Sequence, residues 1–470
     1  MVIEIKRARP IDLPQTGHNA AMRSGKNSQK YRIRSYVLLW LSQSSLTIVQ
    51  KQILPGRIGC SEQTIHRGGS GMEYSTGCNE LEISANGIEY EKGSIYARIC
   101  KLTDLRKAKG KRYSLEMLLM IILMAKLCGE NTPMEIAEWA KHRKEELVKI
   151  LRLEWSRMPH HNTYRRILAE KMHAEEIERL VGEYNQRGDH GQVYAMDGKA
   201  MLGKRRDRET GTEYLLSVYD VEQAKVLSQV EVGRKENEIT KASQVLKQVE
   251  IAQKVVTGDA MHTQRGVSRQ IIQAGGDYVW PVKENQLHLY QNIQSLFAPE
   301  YPKPGFGKIP IDFLTARTVN KGHGRIETRT ITTSEMLNAY SGWPEAAQVY
   351  RLERHFDWRR NGQSIKTSYQ VEFGITSLTH KKASPLTLLT IRRSHWGIET
   401  GLHYRRDVTL REDATRMTVG NAAQIMACIN NLVLALIRQA NFHNAAQARR
   451  WYSCHIDKAF ALLTTPSFRL

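Results

Sequence analysis

Cysteine is sparse in this sequence and follows no pattern. Six residues in 470 (Cys60, Cys78, Cys100, Cys128, Cys428, Cys454) are scattered with no CxxC, which argues against both a disulfide framework and a zinc ribbon. Long apolar runs are missing as well. The longest, Met117 to Ala125, is closed by Glu116 and Lys126, well short of the roughly 20 residues that a membrane span requires. The N-terminus has no signal-peptide apolar region, because residues 11–29 are mostly polar. No GxGxxG or GxxxxGK[ST] stands between a strand-like and a helical run, which disfavours an NTPase. No GxSxG nucleophile elbow occurs either. Acidic residues are in deficit: 48 Asp+Glu face 69 Lys+Arg, a net charge of +21. An excess of that size favours a polyanionic partner: DNA, RNA or an acidic membrane surface. The expectation is a basic, cytoplasmic protein with no membrane segment.

What is present changes character along the chain. Residues 1–50 hold eight Lys/Arg against two Asp/Glu, and Gly and Ser recur from Gly56 to Gly93 without a repeat. The reading is a weakly structured basic extension over 1–95. From 101 to 188 the period becomes helical. Ser114 precedes the all-round apolar LEMLLMIILMAKL, expected to be a buried helix. Thr132-Pro133-Met134-Glu135 is a capping box with proline at the first helical position. The short segment NTYRRIL carries Arg165 and Arg166, which fits a helix-turn-helix-like DNA reader or an ordinary bundle with solvated arginines.

At Gln192 the period changes to that of strands. VYAMD, EYLLSVYD and KVLSQVEV precede a helix–strand–helix–strand–helix alternation that ends near Phe297. That succession predicts a mixed α/β sheet with an antiparallel edge. Residues 300–380 are again strand-rich, and two helical stretches close the chain, one with SHWGIETGLHYRRD and one with NAAQIMACINNLVLALIRQA.

Asp197 and Asp259 each end an apolar strand, in VYAMDGK and VVTGDAM. Ligands of open α/β sheets bind at that end, and two such aspartates plus a carboxylate from a packed helix suit Mg²⁺ or Mn²⁺. Each aspartate alone reads as a turn or helix cap. His395 and His403 invite a zinc reading, but no third soft ligand has fitting spacing. Trp280 and Trp396 read as core residues.

The segments YAMDGKAMLG, VEVGRKENEITKASQVL, VVTGDAMHTQ, GGDYVWPVKENQ, GHGRIETR and HWGIETGLHYRRDVTLREDATR occur in this order. With the upstream LTDLRKAKGKRYSLEMLLMIILMAKLCGENTPMEIAEWA, they resemble the H-repeat-associated insertion-sequence transposases over roughly residues 101–440. These are a branch of the DDE transposases. The resemblance implies an α/β fold: an RNase H-like mixed sheet with flanking helices, a strand-rich insertion and a preceding helical domain. The implied organisation is a helical, DNA-binding domain at 101–188 and a DDE catalytic domain at 190–420 with an insertion at about 300–380. C-terminal helices occupy 421–470.

The resemblance also implies Asp197, Asp259 and Glu399 as catalytic residues and ligands of two Mg²⁺ or Mn²⁺ ions. In many relatives the glutamate lies in a Tyr-x2-Arg-x3-Glu-x6-Lys pattern; here Arg392, His395, Glu399 and Arg406 hold those places, so only the glutamate matches. Glu399 is preferred to Glu412 or Asp413 because, on an α-helix, it shares a face with His403 and Arg406. Glu412 and Asp413 read as a cap and surface ion pairs. Candidate DNA contacts are Lys199, Lys283, Asn285, Gln286, Arg325, Arg165, Arg166, His403 and Arg406. The implied activity is metal-dependent strand cleavage and strand transfer of an insertion sequence, by a homodimer or larger synaptic complex. A structure-specific nuclease on the same core and a decayed DNA-binding relic are the alternatives.

Overall fold

The structure, a computed structural model, describes residues 81–201, 213–233, 236–298, 312–415 and 417–466. The first 80 residues of the expected basic extension and the start of the expected insertion lie outside them.

The extension was expected to run to residue 95, and the structure corrects its end. A hairpin of β1 (Leu81–Ile83) and β2 (Glu89–Glu91) leads into α1 (Ile95–Ile99), with Ser94 capping Ala97 N–H. Ile88, Ile95, Tyr96 and Ile99 are buried in the helical core. LEI and IEY alternate apolar with polar around Asn86-Gly87, a hairpin signal short enough to be lost in the Gly- and Ser-rich run before it.

Five helices follow: α2 (Leu115–Leu127), α3 (Pro133–His142), α4 (Lys144–Ile150), α5 (His161–Glu170) and α6 (Ala174–Asn185). Every residue of α2 except Glu116 is buried, as its all-round apolar sequence requires. The capping box of α3 is formed, with Thr132 accepting from Glu135 N–H and Glu135 accepting from Thr132 N–H.

The sheet begins with β3 (Val193–Ala200), β4 (Tyr214–Asp220) and β5 (Lys225–Val232), an antiparallel meander. It continues through α7 (Glu238–Leu246), β6 (Val255–Gly258), α8 (Arg265–Gln273), β7 (Asp277–Val282) and α9 (Leu287–Leu296), with β6 parallel to β3 and β7 parallel to β6. Then come β8 (Leu314–Gly322), β9 (Arg325–Ser334), α10 (Asn338–Ser341), β10 (Gln348–Arg360) and β11 (Gln363–Thr376). These late strands extend the same sheet, because β11 pairs antiparallel with β7 from Phe373↔Val282 to Thr376↔Val279. The strand order is β5-β4-β3-β6-β7-β11-β10-β9-β8.

The period-2 alternation sorts the core. Tyr194 and Met196 of β3 pack with α7 and α8 on one face. Ala195, with Tyr219 and Val226, joins the helical cluster on the other. That cluster also takes in the last helices, α13 (Ala422–Gln439), α14 (Ala445–Cys454) and α15 (Ile456–Thr464), which follow α11 (Pro385–Ser394) and α12 (Trp396–Ile398). The two ends of the described chain therefore share one core, and the helices of 421–470 complete the layer begun at 95–185. Helix α13 is long and apolar enough to cross a membrane by composition alone, yet it is 83% buried inside the protein.

Deleting residues 1–100 is expected to destabilise the remainder, because it removes Ile95, Tyr96 and Ile99 from the core at roughly 2–5 kcal/mol each. Deleting only 1–75 is expected to leave the melting temperature close to that of the full chain. Thermal melting of the two truncations checks this; equal melting temperatures would refute it.

Candidate active site

Two parallel strands bring the aspartates level. Met196 pairs with Gly258, so Asp197 in β3 and Asp259 just past β6 stand side by side at the carboxyl end of the sheet. On the face that both share with Thr257, helix α11 is pinned by Arg392. Its Nη1 donates to Thr257 Oγ1 at 3.0 Å, and Nε and Nη2 donate to the two oxygens of Glu372 at 2.9 and 3.2 Å.

Past α12 the helix widens. Glu399–His403 and Arg405–Thr409 are wound with bonds five residues back, Tyr404 N–H returning to Glu399 O and Leu410 N–H to Arg405 O. Such π-turns are rare and concentrate at functional sites. A Cβ at Gly401 would collide with the Tyr219 hydroxyl of β4, so this glycine lets the widened helix lie directly on the sheet. Arg449 of α14 fastens its far end, donating to Thr409 O at 2.6 Å, Lys126 O at 3.0 Å and Asn131 Oδ1 at 2.8 Å.

These elements bring Asp197, Glu399 and His403 together, with one ligand atom of each within 4.8 Å of the others. His403 Nδ1 lies 3.5 Å from Asp197 Oδ2 and 3.6 Å from Glu399 Oε2. His395 Nε2 lies 3.7 Å from Asp259 Oδ1. The side chains of Asp259 and Glu399 are 54% and 50% exposed, so a large substrate can reach them. Burial, then the charges of Asp259 and Glu399, push the Asp197 carboxyl well above the usual range. The His403 ring holds Glu399 below it, and the His395 ring does the same for Asp259. His403 Nε2 and His395 Nδ1 are buried with no hydrogen-bond partner. An oxygen-rich set whose first aspartate resists ionisation fits a divalent cation, whose charge would offset that repulsion. The two histidines that prompted the zinc reading face different aspartates.

The model of the family described as "Transposase DDE domain" matches residues 189–436, more than half of the chain. The chain belongs to the DDE transposases. Residues 96–184 of this DNA transposase match a second family model, described as DDE_Tnp_1-associated. Among its relatives are YncI of Escherichia coli O157:H7, 25% identical over 80% of this chain and 96% of its own length, and the H repeat-associated YhhI of Escherichia coli K12, 24% identical over 79% and 97%. Both are named as transposases. The piggyBac transposase synaptic complex with hairpin DNA is similar over 78% of each chain at 12% identity and a TM-score of 0.38, too slight a likeness to bear on the fold.

Several expected DNA contacts of the transposase are engaged elsewhere. Arg406 is fully buried; its Nε and Nη2 donate to Glu412 at 2.8 and 2.6 Å, and Nη1 to Asn431 Oδ1 at 3.4 Å. The reason lies in the helix. At 3.6 residues per turn an offset of seven returns to the same face, but a π-turn has about 4.4 and sends Arg406 to the opposite side. Glu412, expected on the surface, is only 12% exposed and also accepts from Asn430 Nδ2 at 2.8 Å. His403 is buried against the carboxylates instead of facing phosphate. Lys199 is 7% exposed and pairs with Asp407 at 2.6 Å and Asp413 at 3.9 Å. Asn285 Nδ2 donates to Ala260 O at 2.7 Å and Gln286 Nε2 to Thr263 O at 3.0 Å, so both brace the loop behind Asp259. Trp280 is buried as expected, whereas Trp396 is 43% exposed.

Three kinds of position remain open. Lys283 is exposed just past β7. Arg325 is half-exposed over the Phe356 ring. Its register partner Trp358 pairs in turn with Lys366, seven residues from Phe373, which places it roughly 23 Å beyond the β7 contact on an arm that projects past the same end of the sheet. Arg165 and Arg166 are exposed on α5 and line a cavity of about 490 Å³ with Thr132, Met134, His161 and Asn162. Replacing both arginines by alanine is expected to reduce preference for element-end DNA more than bulk affinity, measured by competition binding. Equal loss on all DNA would make them backbone contacts only.

Proposed function

We propose that this transposase cuts the ends of its own element and joins the freed 3′-hydroxyl to target DNA at a site formed by Asp197, Asp259 and Glu399. The observation that supports the reading is the meeting of Asp197 of β3 with Glu399 of the π-wound helix, beside the end of the parallel strand β6 that carries Asp259. The succession of antiparallel β5-β4-β3 and parallel β6-β7 supports an RNase H-like core, and β8–β11 enter between the second aspartate and the glutamate. Two Mg²⁺ or Mn²⁺ ions held there would supply charge stabilisation for the attacking and leaving oxygens of a phosphodiester.

The chain's own residues do the positioning. The strand pairing sets the spacing of the aspartates, and Arg392 ties the helix of Glu399 to β6 and β11. The buried rings of His395 and His403 keep Asp259 and Glu399 ionised. The net charge of +21 draws in the polyanion, with Lys283, Arg325, Arg165 and Arg166 as contacts. Two element ends must be held at once, so the working assembly is a dimer or a larger synaptic complex. Purified protein is expected to nick DNA carrying the element's terminal sequences in Mg²⁺ and to join the cut end to a target duplex. Cutting without joining would favour the structure-specific nuclease, and neither activity would favour the relic.

A further inference from the structure

Asp197 and Glu399 meet at an imidazole that is bonded to neither of them. His403 Nδ1 stands 3.5 Å from Asp197 Oδ2 and 3.6 Å from Glu399 Oε2. Both distances exceed the roughly 2.7–3.2 Å of a good hydrogen bond, and they are nearly equal, so the nitrogen sits between the two oxygens. Two atoms that bind one ion at about 2.1 Å are themselves about 3.0 to 4.2 Å apart, depending on the angle at the ion. Both separations fall inside that window.

The ring is fixed in that place by the fold. The π-turn from Glu399 to His403 brings the two side chains together, and Gly401 inside it lies against the Tyr219 hydroxyl of β4. His403 is buried, and its Nε2 has no hydrogen-bond partner. A buried imidazole is ordinarily satisfied by hydrogen bonds; the only polar groups at Nδ1 here are two carboxylates at a distance that suits a shared cation. Among the described residues, Asp197, Glu399 and His403 are the one group of His, Cys, Asp and Glu whose ligand atoms all come within 4.8 Å of one another. His395 is placed differently, its Nε2 facing the single carboxylate of Asp259 at 3.7 Å.

We propose that His403, through Nδ1, is a ligand of the divalent cation shared by Asp197 and Glu399, an assignment that rests on the reading of those two carboxylates as cation ligands. This ion is then gripped from the buried side by an imidazole, while Glu399, half-exposed, leaves the outer side open to phosphate oxygens. The ligand set is complete in the free protein, so the ion binds before DNA does. An imidazole favours Mn²⁺ over Mg²⁺, which takes oxygen ligands.

The test is titration of the full-length protein with Mn²⁺, without DNA, followed by electron paramagnetic resonance. Nitrogen modulation of the electron spin echo reports a nitrogen bound to the ion. Wild type is expected to bind Mn²⁺ with that modulation. His403→Gln, which offers an amide oxygen in place of the ring nitrogen, is expected to lose the modulation and to weaken the ion by at least about tenfold, while melting and binding DNA as wild type does. His395→Gln is expected to keep the modulation. If His403→Gln fails to fold, wild type and His395→Gln decide. The assignment is overturned by Mn²⁺ with oxygen ligands only in wild type, by modulation that survives in His403→Gln or disappears in His395→Gln, and by a free protein that binds no Mn²⁺. Asp197→Asn separates the two readings. If any of those results comes with loss of Mg²⁺-dependent nicking in Asp197→Asn, the triad stands without His403. Modulation lost in His403→Gln alone, with normal nicking by Asp197→Asn, supports His403 as a ligand and overturns the triad.

Discussion

Glu399→Gln is expected to bind element-end DNA with near-normal affinity and to nick it at least about 10³-fold more slowly in Mg²⁺, a loss of roughly 4 kcal/mol of transition-state stabilisation. The substitution keeps the shape of the side chain and its place on the helix but removes one charge from the cluster. DNA capture depends on basic residues elsewhere, so binding and chemistry separate. Asp197→Asn and Asp259→Asn are expected to behave alike, because the three act as a unit and their losses do not add. Asp413→Asn is expected to stay active: Asp413 lies 3.9 Å from Lys199, whose nearer partner Asp407 remains. A gel assay for nicking beside a binding isotherm decides the matter. Normal cutting by Glu399→Gln with a dead Asp413→Asn would place the wrong carboxylate in the triad.

The second large effect falls outside the cluster. Glu412→Ala is expected to destabilise the fold by about 3–5 kcal/mol, since it strands a fully buried guanidinium without its counter-charge. Arg406 holds Glu412 at about 2 although the glutamate side chain is only 12% exposed, so the pair is ionised throughout the neutral range. The sign follows from that depression: the contribution is present above the ordinary glutamate range and is lost as pH falls toward 2. Removing both charges together, as in Arg406→Met with Glu412→Leu, is expected to recover most of the stability, because the desolvation of the two ions disappears along with their attraction. Chemical denaturation of the single and double variants measures this. A single variant as stable as wild type would mean that the pair is not buried in solution. Beside Arg411 and Arg416 in the sequence Glu412 reads as a surface ion pair whose loss costs little; its pairing with the buried Arg406 changes that.

The sequence alone determined whatever follows from local periodicity and local chemistry. The apolar run of α2, the capping box of α3 and the strand–helix alternation from Gln192 all announce themselves within a dozen residues, because burial on one face or all faces leaves a spacing that can be counted. Asp197 and Asp259 were visible for the same reason, each following an apolar run, although β3 continues past Asp197 to Ala200. Tertiary structure decided everything that depends on residues distant in sequence. A buried position looks like any other charged residue until its partner is known, so Arg406, Lys199 and His403 read as free cations. Ile88, Ile95 and Tyr96 became core residues only through packing on distant helices, α15 among them. The helix of Glu399 changed its winding where it packs on β4, and that change in residues per turn, which no local spacing records, set which side chains face the carboxylates and which face the core.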